Sequence, residues 1–166
     1  NDDPRIDPIV MDGRNFLQVT DRKYDLVLMD AYRQPYIPFH LVTREFFELV
    51  RDHMNDDAVL AVNVASVRGV SRELAQMIYK TMKEVFPTVV LVDATRSNDI
   101  IIATSVVKSF WTGADHAEAV GSAVALQRIK RGLRKKIIGP VPGWESARVL
   151  TDDQAPVEMA WDMMAI

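Results

Sequence analysis

Short apolar runs alternate with amphipathic helical stretches over the first two thirds of this chain, and this alternation limits its fold more than any other property. Residues 24–29 read Tyr-Asp-Leu-Val-Leu-Met, and residues 58–64 read Ala-Val-Leu-Ala-Val-Asn-Val. Nearly continuous apolar runs of this length are typical of strands that are covered on both faces. Strands that alternate with helices indicate a sheet with crossover connections. The pattern therefore predicts an α/β fold.

Helices are predicted to follow both of these strands. Thr43 is a suitable N-cap for a helix over residues 43–53, in which apolar side chains recur at helical spacing. Ser71 caps a second, longer helix with the same spacing, and Pro87 ends it. A further helix is expected over residues 114–131.

Three more strands complete the predicted sheet, at residues 9–11, 88–92 and 99–104. The last two are too close in sequence for a parallel connection, which needs about a dozen residues, so we expect them to be antiparallel neighbours. Residues 55–57, Asn-Asp-Asp, predict a turn, and residues 139–143, Gly-Pro-Val-Pro-Gly, predict an irregular loop. The result is a mostly parallel sheet with an antiparallel last strand and flanking helices.

Length and composition favour one globular domain over residues 1–166. Roughly 100 to 200 residues form a domain with its own core, and 48% hydrophobic with 26% charged residues is an ordinary globular composition. No apolar run approaches the roughly 20 residues that span a bilayer, so we expect no membrane insertion of this chain. The absence of cysteine excludes disulfides and thiolate zinc sites and favours a cytoplasmic protein.

The charge pattern argues against nucleic acid as a partner. The formal net charge is -3, whereas phosphate binding needs clustered Lys and Arg. One cationic cluster lies at residues 128–136, and without interleaved aromatic rings it favours a solvated face, with an anion-binding patch as the alternative. His40, His53 and His116 show no metal-ligand spacing with one another, so no metal site is predicted.

Two carboxylates follow predicted strands, at the edge where open parallel sheets bind ligands. Asp12 follows residues 9–11, and Asp30 follows residues 24–29. Ligands bind outside the carboxyl ends of strands because loops diverge there and helix N-termini present free amides. In adjacent strands, spaced about 4.8 Å apart, the two carboxylates would lie roughly 5 to 10 Å apart and share one cleft. The alternative is that each Asp caps a following turn or helix.

Three segments near these acids carry a further signal in their order and spacing. They read Asp-Gly-Arg-Asn-Phe-Leu at 12–17, Tyr-Asp-Leu-Val-Leu-Met-Asp-Ala-Tyr at 24–32 and Thr-Arg-Glu-Phe-Phe at 43–47. Together they resemble the polyamine aminopropyltransferases, of which spermidine synthase is the type member. The segment Leu-Thr-Asp-Asp-Gln-Ala-Pro-Val-Glu at 150–158 is similar to the C-terminal signature of bacterial spermidine synthase-like proteins, some of them fused to membrane domains.

The resemblance implies a fold, a reaction and roles for three residues. The fold would be part of the Rossmann-like domain of S-adenosylmethionine-dependent transferases. The reaction would transfer an aminopropyl group from decarboxylated S-adenosylmethionine, a co-substrate and not a tightly bound cofactor, to an amine such as putrescine. Asp12 and Gly13 match the family's Asp-Gly at the adenine of the donor. Asp30 matches the general base that takes the proton of the attacking amine.

The residues after Asp30 depart from the family pattern. The family places a second Asp there to hold the cationic acceptor, whereas this chain has Arg33. Because a cation repels a polyamine, either Arg33 points away or the acceptor is not a diamine. Tyr32 and Tyr36 are candidates for lining the acceptor pocket, with ordinary packing as the alternative. The candidate substrate-binding residues are therefore Tyr32, Arg33 and Tyr36.

The glycines depart from the family pattern as well. The family binds its nucleoside with a glycine-rich loop upstream of the Asp-Gly strand, but none of the seven glycines here forms a Gly-x-Gly pair. We therefore expect the later part of a catalytic domain without its glycine-rich N-terminal half, inactive alone and dimeric. The dimer would form by strand pairing across the unpaired edge of strand 9–11 or by helices packing over the exposed sheet face. The alternatives are a methyltransferase, whose donor carboxylate would suit Arg33, and a non-catalytic interaction domain.

Overall fold

Helices and strands alternate along the chain in a computed structural model that describes residues 3–31, 37–65, 71–93, 98–107 and 137–154. Three sets of residues named in the sequence analysis lie outside these ranges: the candidates Tyr32, Arg33 and Tyr36, the cationic residues 128–136, and the helix predicted at 114–131. The helices are α1 (Gly13–Val19), α2 (Arg44–Asp52) and α3 (Ser71–Val85), the strands are β1 (Tyr24–Met29), β2 (Met54–Ala65), β3 (Thr88–Asp93), β4 (Asn98–Thr104) and β5 (Ile137–Gly139), and single 3-10 turns lie at Phe39–Leu41 and Trp144–Ser146.

The described strands form one sheet in the order β1-β2-β4-β3-β5. Strand β1 is parallel to β2, and β4 is antiparallel to both of its neighbours, β2 and β3. Strands β1, β2 and β3 therefore point the same way, with the reversed β4 inserted among them. The short β5 is antiparallel to β3. The α/β class and the antiparallel pairing of β3 with β4 are confirmed.

One face of the sheet forms the core. Leu60 and Val62 of β2 and Ile101 of β4 have 0% exposure, and the register pairs Val62 with Ile101 on the same face. These side chains belong to one cluster with Phe47 of α2 and Ile78 of α3. Both helices thus bury their apolar stripes against this face, as the helical spacing in the sequence predicts.

The opposite face is open at the β1 end of the sheet. Leu26 and Leu28 of β1 are 60% and 67% exposed. They lie opposite Val59 and Ala61 of β2, which are half-buried. The apolar run of β1 therefore suits a strand covered on both faces, but only one face is covered by described residues.

The strand predicted at residues 9–11 is wrong. Ile9, Val10 and Met11 are exposed by 48%, 103% and 52%, and no described strand pairs with them. Pro8 before them has no N–H for a ladder, and Asp12 after them already caps α1. The segment between this proline and the cap of α1 therefore lies outside the described sheet.

The turn predicted at residues 55–57 is also wrong, because these residues lie inside β2. The register pairs Tyr24 with Met54 but Leu26 with Val59, so β2 carries extra residues between these pairs. Such an insertion leaves carbonyl groups outside the ladder. The Ser105 hydroxyl donates to the carbonyls of residues 55 and 56, at 3.2 and 2.5 Å. The polar residues therefore form a bulge within the strand.

A C-terminal strap, residues 141–152, begins within the predicted irregular loop and packs on the helices. Val141 and Leu150 anchor it, with 2% and 4% exposure. The Leu150 N–H donates to Oγ1 of Thr81 in α3 at 2.9 Å, and the Leu150 carbonyl accepts from the N–H of Arg44 in α2 at 2.8 Å. The strap is thus tied to the first turn of α2 and to the middle of α3.

Candidate functional site

Asp30 lies where the sequence places it, directly after the carboxyl end of β1, and it is exposed. Its neighbour on β2 is Asn63, because the register pairs Met29 with Val62. The Asn63 side-chain Nδ2 donates to Asp30 Oδ1 at 2.8 Å. The carboxylate is therefore held from one side by the adjacent strand, and among the described residues Asn63 is its hydrogen-bond donor.

The side-chain oxygen of Asn63 has no hydrogen-bond donor among the described residues. Asn63 Oδ1 is buried, and no donor reaches it from the described residues. The amide orientation is fixed by chemistry, because an ionised carboxylate only accepts and so must face the Nδ2 group. An unpaired buried acceptor costs about 1–3 kcal/mol. Of the two polar ends of the Asn63 amide, one holds Asp30 and the other has no partner among the described residues.

Asp12 is the N-cap of α1 and does not end a strand. Its Oδ1 accepts from the backbone N–H groups of Arg14 at 3.0 Å and Asn15 at 3.1 Å, so it caps the helix, whereas its role toward a ligand stays a prediction. Its Oδ2 lies 2.8 Å from His40 Nε2. The hydrogen bond from His40, followed by that from the Asn15 N–H, lowers the pKa of Asp12 below its ordinary 3.8.

Gly13 begins α1 and leaves open space beside this carboxylate. A Cβ placed on Gly13 would meet no described atom within 4 Å. The backbone there has no positive φ that would demand glycine. Free space therefore lies beside Gly13, next to the cap residue.

A polar cluster connects α1, α2 and the strap. Arg14 makes two parallel hydrogen bonds to Asp152, at 2.8 and 2.5 Å, and Asp152 also accepts from the Thr43 hydroxyl at 2.7 Å. The hydrogen bonds from Arg14 and then Thr43 lower the pKa of Asp152, and Asp152 raises the pKa of Arg14. This cluster lies beside Asp12, because Arg14 Nη1 also donates to the His40 carbonyl at 3.1 Å.

The structure thus brings together pairs that sequence reasoning did not anticipate. Asp30 meets Asn63, and Asp12 meets His40; that both carboxylates face one cleft stays a prediction. Asn63 had a detectable signal, since it is the polar residue near the carboxyl end of an apolar strand. The contact of Arg14 with Asp152 joins residues 138 positions apart and has no local signal.

A cavity of about 490 Å³ lies elsewhere on the molecule. Its lining includes Lys23, directly before β1, and Met54, the first residue of β2. It therefore opens at the amino ends of these strands, at the opposite edge from Asp30. Ligands of open parallel sheets bind at the carboxyl edge, so Asp30 and Asn63 form the better candidate site.

Comparison with known proteins gives a consistent family signal. A family model described as the spermine/spermidine synthase domain matches residues 1–109. A probable polyamine aminopropyl transferase from Bifidobacterium longum (strain NCC 2705) is 34% identical over 86 residues, which are 51% of this chain and 19% of that protein.

Solved structures with low sequence identity share the fold. A probable spermidine synthase from Corynebacterium glutamicum ATCC 13032 matches 93% of this chain and 57% of its own, with a TM-score of 0.66 and 19% identity. Human methyltransferase-like protein 13 in complex with SAH matches 91% of this chain and 64% of its own, with a TM-score of 0.51 and 16% identity. The chain spans less than two thirds of the length of each of these proteins. No helix among the described residues is long and apolar enough to cross a membrane.

Proposed function

The chain belongs to the spermine/spermidine synthase family, and from this premise we propose that it carries the acceptor side of an aminopropyl transfer. The acceptor is an amine such as putrescine, and the donor is decarboxylated S-adenosylmethionine, a co-substrate. The observation that carries the proposal is the pair formed by Asp30 and Asn63. The exposed Asp30 carboxylate accepts a hydrogen bond from Asn63 Nδ2 at the edge where such sheets bind ligands.

The proposed step needs one base and one aligned amine. The amine nitrogen attacks the aminopropyl carbon next to the sulfonium, so a C–N bond forms while the C–S bond breaks. The sulfur keeps the electron pair and leaves as the neutral thioether methylthioadenosine. Asp30 takes the proton released by the amine. The Asn63 Nδ2 group holds the Asp30 carboxylate in position for this transfer.

The nucleoside side of the proposal uses Asp12 and Gly13. By family similarity the Asp12 carboxylate faces the adenine, and the open space beside Gly13 is consistent with a ligand there. No Gly-x-Gly pair occurs in the 166 residues. We therefore propose that this chain does not catalyse the transfer by itself. Calorimetry with methylthioadenosine is expected to show no binding, or only millimolar binding. Micromolar affinity would contradict this part of the proposal.

Methyl transfer from S-adenosylmethionine is the second candidate, and Arg33 is the observation that favours it. An Arg binds a carboxylate well, and decarboxylated S-adenosylmethionine lacks the carboxylate that ordinary S-adenosylmethionine carries. Stronger binding of S-adenosylhomocysteine than of methylthioadenosine would support methyl transfer. The reverse order would support aminopropyl transfer.

The wider setting is also a proposal. We propose a cytoplasmic protein, since the chain has no cysteine, and the later part of a single catalytic domain. We also propose a homodimer that forms over β1, because Leu26 and Leu28 expose an apolar surface on a strand with only one described neighbour.

An NMR titration of the chain with putrescine tests the acceptor site. The side-chain amide of Asn63 is observed while putrescine is added, and butanediol of the same length serves as the uncharged control. We expect a saturable shift with putrescine that is absent in the Asp30→Asn variant, because that change removes the carboxylate. Equal shifts with butanediol, or an unchanged titration in Asp30→Asn, would refute the acceptor site.

A further inference from the structure

We infer that Asp152 is a positioning residue for Asp12, acting across the molecule through Arg14 and His40. The inference rests on the proposed function, in which Asp12 faces the donor nucleoside. Asp152 belongs to the C-terminal strap, 140 positions after Asp12 in the sequence. The strap would thus set the direction of a ligand-binding carboxylate without contacting the ligand.

We call the series of contacts from Asp152 through Arg14 and His40 to Asp12 the relay. Its first contact is the fork, the pair of hydrogen bonds between Arg14 and Asp152. Two parallel hydrogen bonds join the guanidinium to the two carboxylate oxygens, at 2.8 and 2.5 Å. A bidentate pair of this kind fixes orientation as well as distance. The Arg14 side chain is only 18% exposed, so the pair is partly shielded from water and salt.

The second contact carries this orientation to His40. The same Arg14 Nη1 donates to the His40 carbonyl at 3.1 Å, and His40 Nε2 donates to Asp12 Oδ2 at 2.8 Å. The imidazole must be the donor, because an ionised carboxylate only accepts. Phe39 supports the ring edge-on, with ring centroids 5.8 Å apart. His40 is thus held at its backbone by Arg14 and at its ring by Asp12.

The anchor of the relay is fixed independently of Asp12. The Asp152 N–H donates to Glu45 Oε2 at 3.0 Å, and its carboxylate accepts from Thr43, which is fully buried at the start of α2. Two residues earlier, Leu150 is buried against α3. The position of Asp152 is therefore set by the core of the fold.

Without this anchor the Asp12 carboxylate would have more freedom. Its Oδ1 would still cap α1, but the 3-10 turn that carries His40 would lose the Arg14 contact. The remaining pair of His40 and Asp12 has both side chains 36% exposed, and exposed pairs of this kind hold their geometry weakly. The capping function would survive, whereas the direction of Oδ2 would become variable.

The test uses the side-chain nitrogen NMR signal of His40 in the ligand-free chain. We expect Asp152→Asn to shift the Nε2 resonance and to speed exchange of its proton, and Asp152→Glu to restore part of the original signal. Asp153→Asn is the matched control, because it makes the same charge change one position later. An unchanged His40 signal in a folded Asp152→Asn chain would overturn the inference.

A second variant covers the case in which Asp152→Asn does not fold. Arg14→Lys keeps the charge but loses the fork, so it should change the His40 signal in the same direction. An unchanged signal there would also overturn the relay. Titration with millimolar methylthioadenosine separates the relay from the proposed function. The relay is measured in the ligand-free chain, so it stands if the His40 signal responds to the variants, whatever methylthioadenosine does. Micromolar binding of methylthioadenosine would contradict the proposed function and leave the relay untouched.

Discussion

Asp12 combines a structural task with a proposed binding task, and mutation can separate them. Replacing Asp12 with Ala removes the cap of α1, so we expect the free energy of unfolding to fall by about 0.5–2 kcal/mol. Asp12→Asn should lose less, because an amide oxygen still caps the helix. Urea unfolding measures both. Asp21→Ala, an exposed change in the next loop, should leave stability nearly unchanged. Equal losses for Asn and Ala would contradict the capping account.

The lowered pKa values of Asp12 and Asp152 predict a pH dependence of stability. Both carboxyls bind protons less readily in the folded state than at their ordinary pKa of 3.8. Their stabilisation is therefore complete above that value and is lost as the pH falls through the lower, folded pKa values. Urea unfolding at a series of pH values should show this loss.

The Asp152→Asn variant isolates one part of that pH dependence. In this variant the free energy of unfolding should fall less as the pH is lowered into the acid range. Asp153→Asn should not have this effect. The effect should shrink in high salt, because Asp152 is 39% exposed and exposed pairs are screened. If both variants lose the same free energy of unfolding in the acid range, the pair of Asp152 with Arg14 contributes nothing measurable to stability.

Sequence reasoning located single residues better than their partners. The position of Asp30 followed from local pattern, because an apolar run ends directly before it. The partner of Asp12 did not follow, because His40 reaches it from 28 positions away through a turn whose geometry depends on packing. Local pattern predicts where a strand ends; it does not predict which side chains fold back on that end.

At the scale of elements, prediction succeeded where local signals agreed. Strand β1 was predicted with its observed bounds, and α2 begins after the predicted cap, Thr43, whose Oγ1 accepts from the Phe46 N–H at 3.3 Å. The strand predicted at residues 9–11 was wrong because a strand also needs a neighbouring strand with which it can pair. The turn predicted at residues 55–57 was wrong because the same polar residues also suit a bulge. Here the Ser105 hydroxyl donates hydrogen bonds to the carbonyl groups of that bulge.

One buried hydroxyl, that of Thr81, contributes to the docking of the strap on α3. Thr81 is fully buried, and its Oγ1 accepts the Leu150 N–H. Thr81→Val keeps the shape but leaves that N–H unpaired, so we expect a loss of about 1–3 kcal/mol in the free energy of unfolding. Thr81→Ser keeps the hydroxyl and serves as the control.

The comparison of the two variants decides what holds the strap. A much larger loss for Val than for Ser would show that the hydrogen bond matters. A larger loss for Ser would instead assign the stability to the packing of the missing methyl group. Limited proteolysis within residues 141–152 gives an independent measurement, because a loosened strap should be cut faster.

At the scale of the whole molecule, the sheet ends on a strand that suits a central position. Among the described strands β1 pairs only with β2, yet its sequence is apolar on both faces. Leu26 and Leu28 are accordingly exposed on one of them. In the described part of the sheet, the outermost strand on this side is thus β1 and not residues 9–11.

We expect this surface to make the chain self-associate. An unpaired edge with exposed leucines is a template for a second copy, and burying about 800 Å² at roughly 25 cal/mol per Å² would outweigh much of the cost of association. Light scattering at micromolar concentration should therefore report a dimer. Replacing both Leu26 and Leu28 with Lys should give a monomer, because charges on an edge strand oppose pairing. Val107→Lys, at a side chain 85% exposed elsewhere, should stay dimeric. A monomeric unmodified chain would rule out association through β1.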